Sequence, residues 1–199
     1  SARPETLHAA YAGGRHWNAK SWAWFVSIAP RLTTVLEAMR EADFAEFRRG
    51  LIGPQAEARP RKVAADLAPY DIVSWDEKLT GRRFDPEIEL VLLHFSKPHG
   101  ISVQGQTFLQ ALDYPLDVTV RNAAHEMLHP PIDMEGPDAK AALAVLEQDA
   151  LITKIVREHN PAFGYSTLGG LFDEDLVEAL DQLISEQLGV ARPAAERWL

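Results

Sequence analysis

His125-Glu126-Met127-Leu128-His129 reads H-E-x-x-H, and the fold of this 199-residue chain is best approached from that stretch. On a helix, side chains four positions apart project from the same face, so His125 and His129 can direct two imidazole nitrogens at one metal ion. Glu126 follows the first histidine, where its carboxylate can reach a water on that metal. Two neutral nitrogen ligands, a nearby base and an open coordination position are what zinc-assisted hydrolysis requires. The motif therefore predicts a Zn²⁺ site with Glu126 as general base.

The residues before the motif predict the helix that it needs. Asp117 is a suitable N-cap, and the run from there to His129 contains neither Gly nor Pro. Because Pro130 and Pro131 follow at once, and proline disfavours helix at the residue before it, the helix should end at His129. Its apolar side is formed by Leu116, Val120, Ala124, Met127 and Leu128. The histidines lie on a flank of that side, where they would face a cleft.

The motif at 125–129 resembles the active-site helix of the zincin superfamily of metallopeptidases, in which the two histidines bind zinc and the glutamate is the general base. Metzincins continue with a glycine and a third histidine, whereas this chain continues with Pro130-Pro131-Ile132-Asp133. The aspzincin pattern G-T-x-D-x-x-Y-G is also absent. The resemblance is therefore to gluzincins, and it implies an α+β, zincin-like fold. Such a fold has a small mixed or antiparallel sheet, then the H-E-x-x-H helix, then C-terminal helices.

The gluzincin resemblance implies an acidic third ligand on a later helix, and Glu174 is preferred. It opens the last predicted helix, after the Gly169-Gly170 break. The run Glu174-Asp175-Leu176-Val177-Glu178-Ala179 resembles the glutamate helix of several bacterial zincins. Glu178, four residues on, is placed to support a ligand from outside the coordination sphere. The alternative is that the acids at 173–175 only favour the positive end of the helix dipole.

Two other acids remain candidates for the third ligand, both on a helix predicted over residues 138–158. Glu147 shares a charged stripe with Lys140, Lys154 and Glu158, which is typical of a solvated face. Asp149 falls on the apolar stripe instead. An unpaired carboxylate would be costly there, so Asp149 should have a metal, a histidine or an arginine as its partner.

The sequence upstream of the motif predicts the sheet. Residues 72–75 and 88–95 resemble a short and a buried strand, and residues 101–109 alternate polar and apolar side chains. The last two segments could pair as a hairpin. Nearer the N-terminus, residues 31–49 have helical spacing up to Gly50, and residues 53–62 have the composition of a surface loop.

Three further side chains have an ordinary and a functional interpretation. His94 and His99 are predicted to be hydrogen-bonded or solvated rather than zinc ligands. Tyr165 could donate a hydrogen bond to an oxyanion, as tyrosines do in several zincins, or could be loop packing.

Composition limits the remaining possibilities. A length of 199 residues predicts one domain over residues 1–199. A net charge of -9 without a basic patch argues against nucleic-acid partners, and no apolar run is long enough for a transmembrane segment. There is no cysteine, so disulfides and thiolate-bound zinc are excluded. If a signal peptide preceded Ser1, an extracytoplasmic location is expected.

Three hypotheses about function follow. The preferred one is a zinc metallopeptidase that acts on a peptide or protein substrate, with His125, His129 and Glu174 on the metal. The second is a non-catalytic, zinc-containing binding module of zincin fold, in which the base at Glu126 would have no use. The third is a binding protein with a chance motif, which would bind no zinc. Cleavage specificity and oligomeric state are not determined by the sequence.

Overall fold

The computed structural model of the chain describes residues 19–94, 96–97, 100–129, 132–158, 165, 167–193 and 196. These residues form seven α-helices and one three-stranded mixed sheet, so the predicted α+β class is confirmed. The chain separates into two compact units, Ser1–Lys62 and Val63–Leu199. The assignment of residues 1–199 to one domain stays a prediction. Within the described ranges, no helix has both the length and the apolar character needed to cross a membrane.

The first two helices are α1 (Ala19–Glu41) and α2 (Phe44–Leu67). The break between them is at Asp43, whose φ of 47° ends the helical path. The predicted helix end at Gly50 and the predicted loop at 53–62 are therefore wrong, because α2 continues through Gly50 and two prolines. Each of these residues disfavours the helix interior. Ile52 and Val63, one on either side of the prolines, are buried, and we attribute the continuity of α2 to that burial.

Residues 72–75 form the start of helix α3 (Ile72–Thr80) and not the predicted strand. The Asp71 side chain caps the helix by accepting a hydrogen bond from the Ser74 N–H at 3.3 Å. Gly81 ends it with a φ of 68°, in the left-handed region. Ile72 and Asp76, one turn apart, are both buried. The apolar residues of this short segment thus serve one face of a helix.

The sheet consists of β1 (Glu89–Leu93), β2 (Ile101–Gln104) and β3 (Thr107–Ala111), in the order β1-β3-β2. The predicted hairpin between 88–95 and 101–109 is wrong. The hairpin joins β2 to β3 within residues 101–109 and beyond, and β1 pairs with β3 in parallel. Gly105, with a φ of 56°, makes the tight turn between β2 and β3. The alternating pattern of residues 101–109 gave no sign of this turn.

Helix α4 (Leu116–Leu128) carries the H-E-x-x-H motif and packs against β3. Its end is as predicted, with His129 as the C-cap, but its N-cap is Pro115. Asp117 lies inside the first turn and pairs with Arg121 at 3.0 Å, so its assignment as N-cap is wrong. The core around α4 is formed by Phe108, Val120, Ala124, Met127, Leu128, Val177 and Ile184.

A buried polar network fixes α4 on the sheet. The Gln110 side chain of β3 donates a hydrogen bond to the Thr119 hydroxyl at 2.8 Å. It also accepts one from the Asn122 amide at 3.2 Å. Gln110 and Thr119 are buried and cannot hydrogen-bond to water, so these bonds satisfy their polar groups. The same bonds set the orientation of the helix on the sheet.

The C-terminal helices are α5 (Pro137–Leu146), α6 (Ala150–Glu158) and α7 (Leu168–Leu188). The predicted helix over 138–158 is interrupted at Asp149, whose carboxylate accepts from the N–H groups of Leu151 at 2.7 Å and Ile152 at 3.2 Å. This is the geometry of an N-cap for α6. Helix α7 packs along α4, with Val177 and Ile184 buried in the core. It begins at Leu168, so the predicted start after Gly169-Gly170, with Glu174 opening the helix, is wrong.

Asp76 is fully buried on α3, and neither of its carboxylate oxygens has a hydrogen-bond partner in the described part of the chain. Burial raises its pKa from 3.8 to about 8. The folded state therefore binds the proton more tightly than the unfolded state does. The contribution of Asp76 to the free energy of unfolding is therefore largest below about pH 4. It falls by about 1.4 kcal/mol per pH unit as the pH rises to about 8.

We expect Asp76→Asn to remove this pH dependence. The free energy of unfolding of the wild type should fall below that of the variant as the pH rises from 4 to 8, by on the order of 4 kcal/mol at pH 7. Urea unfolding at a series of pH values measures the difference. Asp138→Asn, at an exposed carboxylate, is the control and should follow the wild type. Parallel curves for wild type and Asp76→Asn would contradict the prediction.

Candidate metal centre

The last turn of α4 brings the two motif histidines together. The Nε2 atoms of His125 and His129 lie 3.2 Å apart, and the rings meet edge to face with their centroids 5.0 Å apart. Both side chains are partly buried. The four-residue spacing on a helix produces this arrangement, as the sequence predicted.

Glu174, from the second turn of α7, faces both histidines. Its Oε1 lies 3.4 Å from His125 Nε2, and its Oε2 lies 3.6 Å from His129 Nε2. The burial of Val177 against α4 fixes this part of α7 and so directs Glu174 at the motif. The structure thus brings together the three residues that the sequence singled out as metal ligands, and their donor atoms form a candidate metal-binding group.

We call the two histidine Nε2 atoms and the Glu174 carboxylate the donor triangle, in the sense of metal-ligand donors. Its dimensions suit a zinc ion. Bonds of about 2.0–2.1 Å to a tetrahedral zinc place neighbouring ligand atoms about 3.3 Å apart. The two Nε2 atoms lie 3.2 Å apart, and His125 Nε2 and His129 Nε2 lie 3.4 and 3.6 Å from different oxygens of Glu174. Imidazole nitrogen and carboxylate oxygen are also ligands that zinc takes readily. The residues present therefore fit the metal that the motif predicts.

Two aspartates determine which histidine nitrogens face the triangle. His125 Nδ1 lies 3.0 Å from an Asp181 oxygen, and His129 Nδ1 lies 3.3 Å from an Asp173 oxygen. An ionised carboxylate only accepts hydrogen bonds, so each Nδ1 carries the hydrogen and donates it. When the imidazoles are neutral, each Nε2 then has a free lone pair, as a metal ligand requires.

With both imidazoles neutral and no metal bound, the two Nε2 atoms and the two oxygens of Glu174 would be four hydrogen-bond acceptors at close range. Such a group needs a cation or a proton between its members. Burial alone would lower the pKa of His125, but hydrogen bonds to Asp181 and Glu174, and their negative charges, raise it to about 10. Among the described residues, the acids around the histidines are Glu126, Asp173, Glu174, Glu178 and Asp181, and Arg192 pairs with two of them, Glu178 and Asp181. This excess of carboxylates favours a bound cation.

Glu126 lies beside the triangle without joining it. Glu126 is 7 % exposed. The described part of the chain has two candidate metal-binding groups, the donor triangle and a second group of His125, Glu178 and Asp181, and Glu126 belongs to neither. Burial raises the pKa of Glu126, an effect opposed by the charges of His125 and His129 and by a hydrogen bond from the Ser102 backbone N–H. A carboxylate whose pKa is raised is a stronger base, so its environment suits proton transfer.

Tyr165 contacts the same cluster. Its hydroxyl forms a hydrogen bond with Glu174, and burial together with the negative charge of Glu174 raises the pKa of the phenol. Burial opposes ionisation of Glu174, but the bonds from His125 and Tyr165 outweigh it and lower the pKa of that carboxyl. The structure thus places Tyr165 at the site, and its role as an oxyanion donor stays a prediction.

The other predicted acids stand differently. Glu178 lies 3.9 Å from His125 Nδ1, farther than Asp181, and its nearer partner is Arg192. Glu147 is exposed, which confirms its solvated position. Asp149 is exposed too, so its predicted burial is wrong, because its carboxylate caps α6. Neither Glu147 nor Asp149 belongs to the candidate metal-binding groups among the residues described.

Sequence reasoning missed Asp173 and Asp181. A signal for Asp181 was available, because it follows Glu174 by seven residues, which is two helical turns on the same face. His94 belongs to neither candidate metal-binding group in the described part of the chain, and His99 lies outside the described residues.

Asp181→Asn tests the support of His125. Loss of an outer partner of a metal-bound histidine typically weakens metal affinity by about 10–100-fold, and we expect a loss of that size here. Glu178→Gln is the matched control, because Glu178 lies beyond hydrogen-bond distance of the same nitrogen, and it should bind zinc nearly as the wild type does. Competition titrations with a chromogenic chelator measure both affinities. Equal losses in the two variants would show that only charge near His125 matters.

Comparison of the chain with protein-family models, with curated proteins and with solved structures finds no significant match.

Proposed function

We propose that this protein is a zinc-dependent peptidase of gluzincin-like type, with the metal held by His125, His129 and Glu174. One observation carries the proposal. Two imidazole Nε2 atoms lie 3.2 Å apart, and each lies 3.4 or 3.6 Å from an oxygen of the same carboxylate, that of Glu174. The spacing and the ligand chemistry favour zinc.

Each of the surrounding residues has a definite part in this proposal. Zinc bound at the triangle would polarise a substrate carbonyl and lower the pKa of a water molecule. Glu126 would act as the general base and would carry a proton from water to the leaving amine, a transfer favoured by its buried position. Asp181 and Asp173 hold the imidazoles in the required tautomer, and Tyr165 orients Glu174.

A peptide substrate is supported by the position of β2. In the part of the chain that the structure describes, this strand is at one end of the sheet order and pairs with β3 alone. Its residue Ser102 contacts the Glu126 carboxylate, so the strand runs beside the proposed base. Ile101 and Val103 are about half exposed. An extended peptide can pair with such an edge through its backbone and bring its own amide bonds to the site.

Metal analysis and peptide cleavage together test the proposal. We expect one zinc per chain, cleavage of a peptide library that stops when a chelator removes the metal, and recovery when zinc is restored. The variant His125→Ala/His129→Ala should lose both zinc and activity. Zinc binding without cleavage would instead indicate a non-catalytic module. Full zinc occupancy in the double variant would refute the metal site.

A further inference from the structure

We propose that Gly100 is a positioning residue for Glu126, because only a residue without a side chain lets the backbone that enters β2 pass against the Glu126 carboxylate. The effect of Gly100 on catalysis rests on the proposed function. The contact between Gly100 and Glu126 is independent of that function and can be tested separately.

The approach of the two residues is unusually close. A Cβ atom on Gly100 would lie 2.5 Å from Glu126 Oε1, 3.2 Å from its Cδ and 3.3 Å from its Cγ. Among the glycines that the structure describes, Gly100 alone would bring a Cβ closer than 3.0 Å to another atom; the nearest comparable distance is 3.0 Å, at Gly136. A methyl group at Gly100 therefore requires the Glu126 side chain to move.

Backbone conformation does not account for this glycine. The described glycines with positive φ are Gly81, Gly105 and Gly189, and Gly100 is not among them. The penalty that alanine carries in the left-handed region therefore gives no reason for a glycine at this position. The close approach to Glu126 is the constraint that the structure shows.

Glu126 has little room to yield without losing its position. It is 7 % exposed, and the neighbouring Met127 and Leu128 are fully buried in the core. Its carboxylate also receives a hydrogen bond from the Ser102 N–H, two residues after Gly100. The backbone at 100–102 thus holds the carboxylate at two points. The side-chain end is the part free to shift, so an added methyl should displace the carboxylate rather than unfold the helix.

Gly100→Ala is expected to lower kcat by roughly 100-fold, the loss that a misplacement of about 1 Å at a reacting group can cause. KM, zinc affinity and melting temperature should stay close to the wild-type values. Gly50→Ala is the matched control, since a Cβ there meets nothing within 4 Å. Crystal structures of both zinc-loaded variants should show a displaced Glu126 carboxylate in Gly100→Ala alone, with His125 and His129 unmoved.

A shorter acid should restore compatibility with the added methyl. Glu126→Asp withdraws the carboxylate by one methylene and will itself lower kcat. In that background Gly100→Ala should cost about threefold or less, so the two effects do not multiply, as expected for residues in contact. A purely structural role for Gly100 would not give this rescue.

Three results would overturn the inference: an unmoved Glu126 carboxylate in the Gly100→Ala crystal structure, a kcat equal to that of Gly50→Ala, or multiplicative losses in the double variant. If the wild type cleaves no peptide, the proposed function fails. The crystal structures would still decide whether Gly100 positions the carboxylate.

Discussion

Glu126→Gln should retain the fold and one zinc per chain and lose nearly all turnover. The amide has almost the size of the carboxylate, so the buried position beside the histidines remains filled. It cannot accept the proton that a general base must take from water, and loss of such a base typically lowers the rate by about 10²–10⁴-fold. Because Glu126 is not part of the donor triangle, the metal content should not change.

Glu147→Gln provides the control for the same chemical change at an exposed glutamate on the C-terminal side of α5. It should cleave peptide at the wild-type rate. Steady-state kinetics, zinc content and circular dichroism on the three proteins separate catalysis from folding. Wild-type turnover by Glu126→Gln would remove this residue from the mechanism, and loss of zinc in that variant would mean that Glu126 supports the metal.

The ligand residues could be predicted because they are encoded locally. Two histidines at a spacing of four need only a helix to meet, and the prolines after His129 mark where that helix ends. Glu174 could be predicted as well, because it borders the apolar residues of α7, such as Val177 and Ile184, which must pack against another element. The identity of the packing partner, α4, was not in the sequence pattern.

The parts of the site that could not be predicted depend on contacts between distant segments. Asp181 reaches His125 across 56 residues of sequence, and Asp173 reaches His129 across 44. Gly100 and Ser102 reach Glu126 only because the fold brings β2 against α4. No spacing rule connects such residues, so only the folded arrangement reveals them.

The errors in secondary structure have a common physical cause. Residues 53–62 contain two prolines and have a loop composition, yet they lie inside α2 between buried apolar residues. Residues 72–75 favour a strand by side-chain type, but the Asp71 cap and the burial of one face make a helix. In both places tertiary packing outweighs local propensity, which amounts to less than about 1 kcal/mol for an ordinary residue and about 3 kcal/mol for a proline inside a helix.

Glu174→Ala should weaken zinc binding far more than either rival acid. It removes one of the three facing donors and leaves two Nε2 lone pairs without an anionic partner. The loss should exceed the roughly 10–100-fold that removal of an outer partner causes. Glu147→Ala should be neutral, since that side chain is exposed and outside the cluster.

Asp149→Ala is the more demanding control because it has a structural effect of its own. Removal of the α6 cap should cost about 1 kcal/mol of stability, as loss of an N-cap side chain typically does. Zinc affinity should stay at the wild-type value. Competition titrations and thermal unfolding of the three variants therefore give different patterns, with affinity lost in Glu174→Ala, stability lost in Asp149→Ala and neither lost in Glu147→Ala. Wild-type affinity in Glu174→Ala, together with weakened binding in either other variant, would contradict the assignment of the third ligand to α7. The acidic ligand that completes the H-E-x-x-H site would then lie on another element.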